Sequence, residues 1–439
     1  MNARRSSLEK GRIALGVAVG ALFPVGGVGR KTLSVFVVQM VRIALLASWL
    51  VLAARLLDSA GYGHFVILTA LAAVLAAVVG SGLGMLMYEH VLRSPAEAQQ
   101  ALHVCLRRFV LALVPLFAVY ALLVSVVEGN QSLSWVLLAG ASELLAAPLV
   151  AIAAFRSAAA GDMVRAAALP VILAAGRLLA LLVCFSFGWT SIDAFLAVNA
   201  AGSLVAAVLA LSLCRSTPRG RESGEAAPGS ELARGLQFAG NAGTAAGLTS
   251  VDKAVVGHVF PVEVAGLYGL AYRCVAVAFA PIEALIMVAL PRLFLGAKDV
   301  RHQRLIVTIV AVCIGYGLVM AGLLYVFSFA VASIFGGEFA ASAPLVRDLA
   351  FLALAFGLRL SGSNILMTLG GRAERIVLEV LAVLAMLVLL PMLAKSSGID
   401  AVARGLVITE LALAAACWLL AWRRWRRAAV SAPHHVEAP

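Results

Sequence analysis

The chain reads as an all-α polytopic membrane protein of about twelve transmembrane helices, arranged as two six-helix bundles related by a parallel pseudo-two-fold. Three observations predict it. Apolar runs of spanning length recur from end to end, basic residues collect on alternate connections, and one polar stretch divides the runs six and six. Hydrophobic residues make up 63% of the sequence and charged residues 13%, against roughly a quarter charged in soluble domains. A hydrocarbon core about 30 Å thick needs roughly 20 apolar residues per helix. Only helices and closed barrels satisfy their backbone polar groups in lipid, and these runs lack the strict alternation of barrel strands.

In order, the spans fall at about 33–57, 61–88, 105–127, 133–154, 165–187, 192–214, 233–259, 264–290, 304–327, 344–368, 375–394 and 401–422. A cytoplasmic extension, 1–32, precedes the first. Its apolar piece Arg12–Gly29 is short and broken by Pro24, Gly26 and Gly27, so it reads as interfacial or disordered. The run GGVGRKT (Gly26–Thr32) superficially resembles a phosphate-binding loop, but Arg30 breaks the required Gly-Lys-Ser/Thr and no strand precedes it. The glycines of Gly80–Gly84 suit close packing or a hinge inside the second span. Pro115, Pro148, Pro170, Pro281 and Pro391 lie within spans, as kinks that neighbouring helices tolerate. The stretch RSTPRGRESGEAAPGSE marks a cytoplasmic linker at 215–232 between bundles 33–214 and 233–422. The tail 423–439 ends polar, and its His434-His435 pair reads as solvated.

Outside the spans, 25 Lys and Arg residues fall on one side and 4 on the other. Cytoplasmic loops carry such an excess, so both termini are expected in the cytoplasm of a bacterial inner membrane. The same rule accounts for the net charge of +12 without nucleic acid. The six cysteines lie in or beside apolar helices with no metal-ligand spacing, so neither disulfide, metal nor cofactor is expected. Ala60-Gly61-Tyr62-Gly63 opens the second span and Ala265-Gly266-Leu267-Tyr268-Gly269 the eighth, a faint internal repeat. With six helices per half, both halves enter from the same side, and the repeat is parallel.

Ionisable groups inside a bilayer are costly and usually face a cavity, a partner or a pathway. Arg42, Arg177, Lys253, Arg273 and Arg359 form the basic set, and Glu143, Asp252, Glu283 and Glu410 the acidic one. For each residue alone, a structural pair or a snorkelling side chain competes with a functional role. At about 1.5 Å rise per residue, Asp252 and Arg273 lie at similar depth on adjacent spans, and Glu143 and Arg177 do likewise. Each pair is expected to meet. Gln237, Asn241, Thr244 and Asp252 fall on one face of the seventh span, a polar stripe suited to a wet cavity.

The run Ser250-Val251-Asp252-Lys253-Ala254-Val255-Val256-Gly257, then Ala265–Arg273, Pro281 and Leu290-Pro291-Arg292, resembles polysaccharide-biosynthesis flippases of the Wzx type, within the multidrug/oligosaccharidyl-lipid/polysaccharide exporter superfamily. Ala54-Arg55-Leu56-Leu57 through Gly61-Tyr62-Gly63-His64-Phe65 resembles their first-to-second helix junction. The likeness implies two bundles around a cavity open alternately to each side. It implies translocation of undecaprenyl-pyrophosphate-linked oligosaccharide among membrane lipids, beside a polysaccharide polymerase and glycosyltransferases. Arg273 matches the cationic lining, with Arg42 and Lys253 as additions. Twelve spans lack the two extra helices of lipid II flippases, which argues against a peptidoglycan role. A drug exporter of the superfamily would favour acidic cavity residues. A membrane glycosyltransferase or polymerase would need a larger extracytoplasmic loop than Ser328–Ser342, whose one charge is Glu338.

Overall fold

The computed structural model describes residues 27–129, 131–215, 231–295 and 300–430. Most of the extension expected at 1–32, of the linker at 215–232 and the polar end of the tail at 423–439 thus lie outside the described residues.

The N-terminal half holds α1 (Gly27–Leu56), α2 (Ser59–Arg93), α3 (Ala98–Glu128), α4 (Leu133–Ala159), α5 (Met163–Phe187) and α6 (Ile192–Arg215). α1 begins at Gly27 rather than near 33. Extending a formed helix costs far less than nucleating one, so the long apolar run carries the helix back through the glycines. Asp58 caps α2 by accepting from the Gly61 amide at 2.7 Å. Asp162 caps α5 in the same way through Arg165 N. Gly188 ends α5 in the left-handed region, φ 66°, where a Cβ would be strained. Residues Ala141–Ala146 of α4 form a π-helical turn, a feature often found at functional sites.

The C-terminal half differs from the expected unbroken spans. The seventh divides into α7 (Glu231–Leu248) and α8 (Val251–Val259), and the eighth into α9 (Val262–Ala276) and α10 (Phe279–Leu295), bent by 42°. Broken backbone persists at membrane depth only where its polar groups find partners. Lys253 Nζ donates to the Thr249 carbonyl at the first break, and Tyr316 OH donates to Ala278 O at the second. Next come α11 (Val300–Phe327), α12 (Ser342–Leu349), α13 (Leu352–Thr368) and α14 (Arg372–Val430). The last is a hairpin that turns at Gly398, φ 77°. Arg424 pairs with Glu374, 50 residues earlier, whereas a straight helix would hold them roughly 75 Å apart. Counting each broken span once, α12 and α13 as the single span Ser342–Thr368, and the hairpin twice gives twelve crossings among the described residues.

The ends alternate as those crossings require. Glu374 and Arg424 meet at the basic end, while Arg404 and Asp348, and His64 and Glu128, meet at the opposite end. Val114, Leu111, Val208 and Val388 are among large apolar side chains left more than 60% exposed, as a lipid-facing belt requires.

The two halves meet along α2, which packs against α7 toward the basic end and against α9 at the opposite end. The repeated glycines mark that crossing. A Cβ on Gly63 would stand 2.0 Å from the Val262 carbonyl oxygen, and one on Gly266 would stand 2.1 Å from that of Ser59. Only glycine lets the two backbones approach so closely.

Candidate substrate cleft and its charged network

In the N-terminal lobe the charges gather at the π-helical turn. The extra residue of that turn re-aims Ser142 and Glu143 toward α5 and α6. Arg177 pairs with Glu143 Oε1 at 2.7 Å and donates to Ser203 Oγ at 3.0 Å and Ser142 Oγ at 3.1 Å. Asn199 Nδ2 reaches the same Ser142 hydroxyl at 3.0 Å. The Glu143–Arg177 pair matches the expectation from depth. Ser142, Ser203 and Asn199 complete it, and sequence reasoning missed them. Their signal was available as polar positions in apolar runs near Arg177.

In the C-terminal lobe the expected Asp252–Arg273 pair is replaced by other partners. Asp252, with no exposed surface, pairs with Lys253 at 3.0 Å and accepts from Tyr268 OH at 2.8 Å. The Lys253 ammonium lies 3.1 Å from the centre of the Tyr272 ring. Arg273 instead crosses to the other lobe, donating to Tyr62 OH and Thr69 Oγ1, each at 3.1 Å. Its guanidinium also stacks near Trp49, Tyr62 and Phe65, with the Phe65 centroid 4.9 Å away. Depth arithmetic fixes height along a helix but not azimuth, and Arg273 faces α2 rather than α8. Arg273 is thus a strut between lobes at the opposite end.

Arg359 is buried and paired with Glu410. Beside it Arg375 pairs with Glu379 at 2.9 Å, and Glu379 Oε2 accepts from Thr244 at 2.9 Å. The expected polar stripe therefore divides. Thr244 packs against α14 and Asp252 lies beyond the helix break, while Gln237 is exposed and Asn241 half-buried.

Arg42 differs from the other four cations. It is half-buried on α1 and lies within electrostatic reach of Glu283 on α10 and Arg177 on α5. Among the described residues it has no direct hydrogen bond or ion pair. Glu283 is exposed and similarly lacks a direct partner. The two stand on opposite lobes, where α1 and α10 come into contact, and mark the candidate substrate site; their charges also reach Arg177 and Arg359. The tie between the lobes lies away from it. At the opposite end Arg55 donates to the backbone carbonyls of Ile334 and Ser333, and the Tyr62 and Phe339 rings meet edge to face at 5.7 Å. Among the described residues no group of three His, Cys, Asp or Glu could hold a metal ion.

This arrangement is the fold of the MOP-superfamily transporters. An inward-facing multidrug resistance MATE family transporter superposes with a TM-score of 0.71 at 13% identity, over 92% of this chain and all of that one. A MATE transporter in complex with MaL6 gives 0.66 at 14% identity, over 92% and 96% of the two chains. An outward-facing member gives 0.64 at 14%, over 94% and 98%. No curated protein sequence matches significantly. The sequence assignment is narrower than the fold. The profile described as "Polysaccharide biosynthesis protein" matches residues 51–294, more than half of the chain. The chain belongs to that polysaccharide biosynthesis family, and it is a multi-pass membrane protein.

Proposed function

We propose that this protein is a flippase that carries undecaprenyl-pyrophosphate-linked oligosaccharide across the bacterial inner membrane by rocking one lobe against the other. The basic end faces the cytoplasm, with both termini on that side, and the protein catalyses no bond chemistry. Membership of the polysaccharide biosynthesis family supports this substrate class, and Arg42 is the observation that carries the mechanism. A guanidinium at mid-membrane depth costs about 2.5–3.5 kcal/mol on insertion scales. The other cations offset that cost with internal carboxylates or a stacked hydrogen-bonded cage; among the described residues Arg42 has no direct partner, and it would face a cleft that opens between the lobes. A pyrophosphate offers it the forked, charge-assisted bonds that guanidinium makes best. Arg177 stands behind it as a second positive charge, already oriented by Glu143 and two serines. Gln237 and Asn241 supply polar wall for sugars, and the lipid tail stays in the bilayer beside the lobes.

The test is complementation of a host strain lacking this gene, with membrane protein level and leaflet distribution of lipid-linked oligosaccharide measured together. Arg42→Ala should insert normally, lower export at least tenfold and leave the oligosaccharide on the cytoplasmic leaflet. Arg42→Lys should retain part of the activity, because an ammonium keeps the charge and loses the fork. Full export by Arg42→Ala would overturn the proposal.

A further inference from the structure

The sealed end is not flat. Directly outside the Tyr62–Phe339 contact, a cavity of about 1080 Å³ opens between the lobes. This lies at the upper end of the roughly 300–1,000 Å³ found for small-molecule sites. Both halves build it: Arg55, Asp58 and His64 from the α1–α2 junction, Phe185 and Thr190 from the end of α5, and Glu338 from the connection after α11. Two of these polar groups are held in place but not used up. His64 approaches Glu128 through Nδ1 at 3.3 Å and meets the Trp135 ring at a tilt, centroids 5.1 Å apart, while its Nε2 has no partner among the described residues. Asp58 gives one carboxylate oxygen to the Gly61 amide, and among the described residues no hydrogen bond engages the other. Glu338 is exposed, with no partner among the described residues. Glu128, whose side chain is 3% exposed, keeps Oε2 unsatisfied behind His64. The Phe185 ring is 55% exposed on the wall.

Free acceptors, an imidazole and an open aromatic face, spread over one roomy cavity, match the chemistry of a pyranose. Its hydroxyls donate to carboxylates, and its C–H face lies on an aromatic ring. A lipid tail would want an apolar pocket, and Arg55 on the same wall offsets the carboxylates that a drug cation would seek. We propose that this cavity is a vestibule that binds the hydroxyl-rich sugar head of the oligosaccharide on the periplasmic side of the seal. The assignment rests on the flippase reading for its ligand and for its orientation. The polar groups there hold the leading sugars on the far side of the seal that Arg273 and Tyr62 form.

The full-length protein carrying Thr190→Cys provides the test, since all six native cysteines are buried and should contribute little labelling. Spheroplasts are treated with a membrane-impermeant maleimide, with and without the host's own oligosaccharide, released from its lipid by mild acid. Added oligosaccharide should slow labelling of position 190 at least threefold. Glu338→Gln combined with Phe185→Ala should abolish that protection with protein level unchanged. Labelling that is unaffected by the oligosaccharide, or slowed equally by the same mass of polyethylene glycol, would overturn the vestibule. Protection requires no transport, so it persists if the leaflet assay shows that lipid-linked oligosaccharide is not flipped. Leaflet redistribution without protection would reject the vestibule alone.

Discussion

Arg359 and Glu410 show what a mid-membrane charge does when it serves the protein's own structure. Each is buried and each has the other. Removing one member strands the other, typically at 3–5 kcal/mol, whereas replacing both with apolar residues of similar volume is often neutral. Glu410→Leu alone should therefore lower thermal stability by an amount on the order of 3 kcal/mol, and Glu410→Leu with Arg359→Met should recover most of it. A double variant as unstable as the single one would show that the pair answers to a further group. The two other acidic pairings illustrate what was legible from sequence at this scale. Glu143 and Arg177 shared a depth, and they meet. Asp252 and Arg273 shared a depth as well, but the break at Thr249–Ser250 and the rotation of α9 turn them to different neighbours. Neither effect leaves a mark in hydropathy. Nor did the sequence single out Glu379 or Ser203, and Tyr268 stood out only within the repeat, because a lone polar residue in an apolar run does not announce its partner.

At the scale of elements, the repeat signal acquires a physical cause. Ala60–Gly63 and Ala265–Gly269 resemble each other because each opens the helix at which the lobes cross, where a Cβ would strike backbone. Overpacking a tight contact costs about 1–3 kcal/mol. Gly63→Ala and Gly266→Ala should each destabilise by at least that range in a thermal-shift assay. Gly315→Ala, where nothing stands within 4 Å, should stay close to the parent. Equal effects at all three would remove the crossing from the account. The hairpin in α14 has its own check. Glu374→Cys with Arg424→Cys should be joined within one chain by a short bis-maleimide, since those long side chains pair across the fold, and failure to crosslink would reopen the count of twelve. That count was legible because hydrophobic length is a strong, local signal. The breaks at Thr249–Ser250 and near Val277 were not, since they depend on Lys253 and Tyr316 reaching carbonyls on another turn or helix.

At the scale of the whole molecule, the lobes are latched at the Arg55 end by backbone and aromatic contacts, while Arg42 and Glu283 interact across the lobe junction through charge alone. Under the proposed mechanism these contacts belong to one of two states. Rocking would then break the Arg55 latch and the Arg273 strut to open the vestibule side. Sequence alone gave this level in outline: the six-and-six division and basic asymmetry are global features, and family likeness supplied the two-lobe picture. Which end is closed follows only from side-chain contacts between residues hundreds of positions apart.

The most direct measurement locks that latch. In Arg55→Cys with Ser333→Cys, a short bis-maleimide with a disulfide in its spacer can span the length that the arginine bridged and a reductant can cut it, and the six native cysteines are buried. In cells exporting the polysaccharide, crosslinking should stop lipid-linked oligosaccharide from reaching the periplasmic leaflet. It should build up on the cytoplasmic leaflet, and reduction should release it. Undiminished export by protein that is fully crosslinked at these two positions would contradict transport by alternating access between the lobes.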